Sequence, residues 1–248
     1  MPLDDATVVL LVGVLVLAGL VKGTIGFGLP LVAVSIVTQI LPKEWALALM
    51  ILPVVLSNLF LGFQGRLFVP SLRRFWPVII AVCSGIFAGA MGLAWLPQAR
   101  FMLVVGLVVV VFALAEQFRL VLPVPARHER GIGIAAGLFG GLLGGVSTAF
   151  GPPLIMYLTA LRLSKAEFVA AIGAIWTFAS LMLIVAFHQS GILVGERAWW
   201  SLAACIPVGA GLWLGSRLRD RIPQEPFRRL VRLALLLLGV NLIRRAIQ

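Results

Sequence analysis

The feature that most constrains this chain is a glycine- and proline-rich break that occurs twice, each time inside a strongly apolar stretch. The first copy covers residues 23–31 and the second covers residues 149–154. Glycine and proline interrupt helices here, where backbone N–H and C=O groups have no water to bind. Such a break is tolerated within a bilayer only where it lines a protected cavity. A duplicated break therefore indicates a transporter's binding site.

Composition sets the class of protein. Of the 248 residues, 61% are hydrophobic and 12% are charged, which is more apolar surface than a soluble chain of this length can bury. Uninterrupted apolar runs such as 76–96 and 101–114 reach or approach the length that crosses a bilayer. We therefore predict an all-α polytopic membrane protein with about 8–10 membrane segments.

The net charge of +11 does not indicate a nucleic-acid partner, because the basic residues lie between apolar segments, where positive charge sets membrane topology. Cys83 and Cys205 lie within apolar runs and are expected to be small buried hydrophobes. The sequence shows no catalytic constellation and no metal-ligand spacing. We therefore expect no enzyme activity, no catalytic residues, no metal and no cofactor.

The two halves of the chain predict one structural unit that occurs twice. At one constant spacing, Phe27, Gly28 and Pro30 pair with Phe150, Gly151 and Pro153. The first repeat is predicted over 1–121, with a broken helix pair over 7–40 and helices over 46–63, 75–96 and 100–117. A polar linker over 122–130 leads to the second repeat over 131–248, with a broken pair over 131–161 and helices over 167–188, 198–216 and 230–247.

Loop charges predict how the repeats are oriented. If each broken pair crosses the membrane once, the loop arginines and lysines divide equally between the two sides. If each pair enters and returns, most of them fall on one side, as expected for cytoplasmic loops. Each half then has an odd number of membrane segments, so the second repeat is inverted relative to the first. We predict that both termini lie outside, in a bacterial cytoplasmic (inner) membrane. Whether each broken pair spans or is re-entrant stays open.

The breaks predict one anion site at mid-membrane, between them. A helix that begins there exposes unpaired N–H groups and the positive end of its dipole, and glycine lets an anion approach the backbone. The candidate residues around the first break are Lys22, Gly23, Thr24, Gly26, Phe27, Gly28 and Pro30, with Asn58 on the third segment. Those around the second break are Gly145, Ser147, Thr148, Phe150, Gly151 and Pro152, with Trp176 and Thr177 on a neighbouring helix.

Several of these residues have a second interpretation. Lys22, inside the predicted break, is either a counter-charge for the anion or a lysine that snorkels to the surface. Asn58 is either a substrate donor or, preferably, a link between helices. Glu44 and Glu167 start helices and complement the dipole, with coupling-ion sites as the alternative.

The Gly-rich segments Gly19-Leu-Val-Lys-Gly23-Thr-Ile-Gly26-Phe-Gly28-Leu-Pro30 and Gly141-Leu-Leu-Gly-Gly145-Val-Ser-Thr-Ala-Phe-Gly151-Pro-Pro153 resemble the TauE/SafE family of membrane transporters. The family is named for sulfite and organosulfonate exporters, and the resemblance covers essentially the whole chain. Lys22 departs from the small or apolar residue expected there.

The resemblance implies secondary transport of a small anion, most simply export of sulfite or an organosulfonate by alternating access. The alternatives are import or export of another small organic or inorganic anion, and a non-transport subunit of a membrane complex. The expected partners are the small anionic substrate and the lipid bilayer. A coupling ion, H+ or Na+, and a homodimer stay open.

Overall fold

The computed structural model describes residues 4–62, 67–93, 95–118, 124–219, 221 and 223–248. Within these ranges every regular element is helical. The α-helices are α1 (Asp5–Ile25), α2 (Leu29–Val37), α3 (Lys43–Gly62), α4 (Phe68–Leu93), α5 (Gln98–Phe118), α6 (Glu129–Ser147), α7 (Gly151–Ala160), α8 (Lys165–Gln189), α9 (Glu196–Leu218) and α10 (Gln224–Ile247). A short 3-10 helix, Ala126–His128, precedes α6. The predicted linker over 122–130 and the predicted helices over 46–63 and 75–96 extend in part beyond the described residues.

Six of the described helices are long and apolar enough to cross a membrane, and they are Asp5–Ile25, Phe68–Leu93, Gln98–Ala115, Glu129–Ser147, Lys165–Gln189 and Glu196–Leu218. Their length follows from uninterrupted apolar sequence, because a helix satisfies all its interior backbone hydrogen bonds without water. The prediction of an all-α, multi-pass membrane protein is confirmed.

Most described helices begin a few residues before the bounds that the apolar pattern predicts, and the difference is largest for α4 and α10. Helix α4 starts at Phe68 rather than at 75, and α10 starts at Gln224 rather than at 230. In α4 the added residues include Arg74, whose Nε and Nη2 atoms donate to Glu129 Oε1 at 3.0 and 2.8 Å. Hydropathy marks the apolar part of a helix, whereas backbone hydrogen bonding continues through the polar turns that precede it.

The helices form two compact units, and the division falls within α3. Unit 1 comprises Met1–Pro53, Pro97–Gln117 and Val194–Gln248, and therefore contains α1, α2, the start of α3, most of α5, and α9 and α10. Unit 2 comprises Val54–Leu96 and Phe118–Leu193, with the rest of α3 and with α4, α6, α7 and α8. Each unit thus takes helices from both predicted repeats.

Unit 1 is held together by direct backbone contact between α1 and α9. A Cβ atom on Gly19 would overlap the Val208 carbonyl oxygen, and one on Gly23 would overlap the Leu212 carbonyl oxygen. In the opposite direction, a Cβ atom on Gly215 would overlap the carbonyl oxygen of Leu20. Small residues spaced one turn apart allow this close approach, which replaces the hydrophobic driving force that a bilayer does not provide.

Unit 2 repeats the arrangement with α4 and α6. Cβ atoms on Gly85 and Gly89 would overlap backbone atoms of α6, and Cβ atoms on Gly141 and Gly145 would overlap backbone atoms of α4. Both interfaces therefore join a helix of the predicted first repeat to a helix of the predicted second.

Candidate functional site

The first break lies in unit 1 and needs two glycines. Helix α1 ends at Ile25, and Gly26 closes it with φ 98 while its N–H donates to the Lys22 carbonyl oxygen at 2.7 Å. Gly28, with φ 96, then precedes α2. Both glycines adopt the left-handed region, which side chains disfavour. Between them, the ring of Phe27 packs edge-on against Phe112, with centroids 5.6 Å apart.

The second break lies in unit 2, and there the left-handed position at the end of the helix is occupied by a residue that is not glycine. Thr148 closes α6 with φ 60, and its N–H donates to the Gly144 carbonyl oxygen at 2.7 Å. Phe150 precedes α7 with φ −77, and its ring packs against Trp176 at 5.3 Å between centroids. Gly144 leaves the space for this turn, because a Cβ atom there would meet Phe150 Cβ at 2.6 Å.

The two phenylalanines are not equivalent in the structure, contrary to the pairing predicted from the sequence. Phe27 is the middle residue of its three-residue break, whereas Phe150 is the last residue before α7. The helix ends on either side of the two breaks therefore correspond at a sequence spacing one residue shorter than the spacing that pairs Phe27 with Phe150. In this register Thr148 corresponds to Gly26, and Pro152 corresponds to Pro30.

The helices that leave the breaks begin with unpaired backbone donors. Neither Gly28 nor Phe150 makes a side-chain cap, and Pro30 and Pro152 lie in the first turns of α2 and α7. The first turn of any helix has N–H groups without intrahelical acceptors. In α7 two consecutive prolines remove donors, so Gly151 has the first N–H of that helix and the next two positions have none.

The candidate hydroxyl groups already donate to backbone carbonyls. Thr24 Oγ1 lies 2.9 Å from the Leu20 carbonyl oxygen and 3.2 Å from that of Gly215. Ser147 Oγ donates to Leu143 at 2.7 Å, and Thr148 Oγ1 donates to Ser147 at 2.6 Å. Thr177 Oγ1 likewise donates to Gly173 at 2.8 Å. An anion would have to displace these bonds in order to use the hydroxyl protons.

Lys22 does not lie in the break, contrary to the sequence prediction. It occupies the last turn of α1, one turn before Gly26, and is only 8% exposed. The break starts later than predicted because Lys22, Gly23 and Thr24 continue the helix that packs against α9. A cation in the last turn of a helix also complements the negative end of the dipole.

Asn58 makes the interhelical link that the sequence favoured over substrate binding. Its Nδ2 atom donates to Ser180 Oγ at 2.9 Å, which joins α3 to α8 within unit 2, and both residues are buried. Trp176, on α8, lies against Gly151 as well as Phe150.

Two glycines and one arginine have positions that the sequence did not indicate. Gly23 and Gly145 face neighbouring helices in the glycine interfaces rather than the breaks. Arg219 caps α9, and its Nη2 atom donates to the Gly23 carbonyl oxygen at 2.7 Å. The sequence offered no signal for this contact, since a loop arginine is equally well explained by topology.

Comparison with known proteins identifies the family. The family model described as "Sulfite exporter TauE/SafE" matches residues 11–242. The curated proteins and solved structures with which the chain was compared gave no match. The matched range includes both helix breaks and both glycine interfaces. This chain therefore belongs to the sulfite exporter TauE/SafE family of membrane transporters.

Proposed function

We propose that this chain exports sulfite or an organosulfonate by secondary transport with alternating access, and that the helix breaks supply the donors that hold the anion. The protein acts in the bacterial inner membrane with both termini outside. The observation that carries the proposal is that α2 and α7 begin directly after a break in apolar sequence, without a side-chain cap.

The chemistry of the breaks favours an anion over a cation or a neutral solute. The start of α2 presents the N–H groups of Leu29 and Leu31, and the start of α7 presents that of Gly151. Each start also carries the positive end of its helix dipole, which stabilises negative charge. The neighbouring hydroxyl groups already donate to carbonyl oxygens. Backbone N–H groups are therefore the principal donors, and the oxygen atoms of sulfite or a sulfonate accept several of them together.

The test is a flux measurement with the purified protein in liposomes. We expect saturable sulfite flux that protein-free liposomes lack, with competition by sulfoacetate stronger than by sulfate or lactate. Preferential competition by lactate would contradict the assignment to sulfur oxyanions. Absence of saturable flux for every anion would contradict transport and favour a non-transport subunit of a membrane complex.

We further propose the first of the two interpretations of Lys22, a counter-charge for the anion, and Lys22→Gln tests it. Loss of a charge-assisted interaction costs about 1.5–3 kcal/mol, so we expect KM for sulfite to rise about tenfold or more while the protein still inserts. Lys165→Gln, at an exposed position at the start of α8, removes the same charge and should leave KM unchanged. Wild-type flux in Lys22→Gln would assign Lys22 to helix stability alone.

A further inference from the structure

Two arginines of α10 have buried donors that nothing in the described part of the chain satisfies. The Nε atoms of Arg228 and Arg232 are buried and have no hydrogen-bond partner among the residues that the structure describes. The two residues are four positions apart in one helix, and side chains at that spacing lie on the same face. Arg228 and Arg232 therefore place these two Nε–H groups, unpaired within the described residues, on the same face of α10.

The end of unit 1 that holds this pair is strongly basic. Helix α9 ends at Leu218 and α10 begins at Gln224, so the end of one and the start of the other are close in the sequence. Arg219 caps α9, and the guanidinium of Arg217 stacks over Trp213 with its Cζ atom 4.0 Å from the ring centroid. The first turn of α10 adds the positive end of its dipole, together with the acidic residue Glu225, which has an interaction of its own.

A buried Nε–H without an acceptor is unfavourable, and buried polar groups in proteins are nearly always paired. Two such donors on one face of α10 suit an acceptor with several oxygen atoms. A planar guanidinium matches oxyanions of this kind, because it presents its N–H groups as a fixed fork.

We propose that Arg228 and Arg232 bind an oxyanion through their guanidinium groups, near the start of α10 in unit 1. The shared chemistry is that of a phosphate, which comes either from the headgroup of an anionic phospholipid or from a free small oxyanion. Trp213 is 53% exposed, and exposed tryptophans with arginines are typical of the membrane interface, where headgroup phosphates lie. The proposal does not depend on the transported substrate.

Thermal unfolding of the full chain in detergent, after removal of lipid, tests the proposal in two arms. One arm adds phosphatidylglycerol, and the other adds sodium phosphate against sodium chloride of equal ionic strength. We expect at least one ligand to raise the melting temperature of the wild type by several degrees. The double substitution Arg228→Gln/Arg232→Gln should abolish that rise.

Arg229→Gln is the matched control, because Arg229 is an exposed neighbour of the same charge and its loss should leave the rise intact. Arg228→Lys/Arg232→Lys keeps both charges but removes the guanidinium fork, so it should also lose most of the rise. If the glutamine double variant does not fold, the lysine variant decides the question.

A rise with phosphatidylglycerol alone assigns the site to a lipid headgroup, and a rise with phosphate alone assigns it to a free anion. Equal rises in the wild type and the lysine variant would overturn the proposal, because they would show a response to charge alone. No rise in either arm would also overturn it. Neither result bears on sulfite flux, so failure here is distinct from failure of the transport proposal.

Discussion

Single residues decide how each helix break is made. Gly26 adopts the left-handed region freely, whereas Thr148 adopts it with a β-branched side chain, for which that region is a true outlier. Backbone strain of this kind costs about 1–3 kcal/mol and persists only where the surroundings hold it. The hydrogen bond from the Thr148 N–H to Gly144 and full burial of the side chain provide that support.

Replacing Thr148 with glycine and Gly26 with threonine should therefore have unequal effects on stability. We expect Thr148→Gly to keep the melting temperature of the wild type, because relief of strain offsets the added freedom of the unfolded chain. Gly26→Thr should lower the stability by about 1–3 kcal/mol, because the native turn there has φ 98. Thermal unfolding in detergent measures both, and a large loss of stability in Thr148→Gly would contradict the assignment of strain.

Asn58 allows a second test at this scale. The bond between Asn58 and Ser180 predicts that Asn58→Ala and Ser180→Ala are each destabilising and that their effects are not additive. The coupling should be about 0.6 kcal/mol, the average for such bonds between membrane helices. A coupling near zero, with sulfite flux lost and stability kept, would instead make Asn58 a substrate ligand.

Whole helices depend on glycines that touch the backbone of a neighbour. In α9, Gly211 and Gly215 face α1, but Gly209 has open space where a side chain would lie. The difference arises because positions two residues apart point to different sides of a helix.

This pair of positions gives a matched experiment. Gly211→Ala should destabilise unit 1 by about 1–3 kcal/mol, because overpacking forces the backbones of α1 and α9 apart. Gly209→Ala should be neutral or slightly stabilising, since alanine has the higher helix propensity. The melting temperatures of the two variants in the same detergent decide the question, and equal values would show that α1 and α9 do not touch at Gly211.

At the scale of helices, the sequence predicts where the helices lie in the chain better than it predicts which helices pack together. The apolar runs predict the number and order of the helices, because hydropathy and length are local properties. Ser164 and Glu167 form the capping box at the start of α8, which agrees with the structural role predicted for Glu167. The contact of α1 with α9 was not predicted, because a glycine spacing shows that a helix has a close neighbour without identifying it.

At the scale of the whole molecule, the membrane class and the family are established, whereas the inverted orientation is still a prediction from loop charge. A cysteine at 128 should be inside and one at 248 outside. Both His128 and Gln248 are exposed in the structure, so each accepts a label without disturbing a packed region. The native thiols of Cys83 and Cys205 make only weak contacts, at 3.7 and 3.4 Å from carbonyl oxygens, and can be replaced.

In a chain without Cys83 and Cys205, an impermeant maleimide added to intact cells should label Gln248→Cys and leave His128→Cys unlabelled. Labelling of His128→Cys after the membrane is opened is the control for reactivity. Protection of the C-terminus from the external reagent would reverse the predicted topology.

The candidate site was predictable in outline and not in detail. The breaks could be located from glycine and proline because those residues interrupt helices for local reasons. The position of Lys22 and the hydrogen bonds of Thr24 and Ser147 depend on where each helix ends, and that is set by packing against neighbours. The residues that contact an anion therefore remain a proposal.

The contact between α1 and α9 has a consequence for how the chain is made. Thr24 and Gly215, which meet in this interface, are 191 positions apart, whereas α4 and α6 are separated mainly by the single helix α5. During synthesis, the glycine face of α6 finds its partner as soon as it is inserted. The glycine face of α1 stays without its partner until α9, nearly the last helix, has been synthesised. A chain that stops before α9 therefore exposes an unpaired glycine face to the cell's quality control.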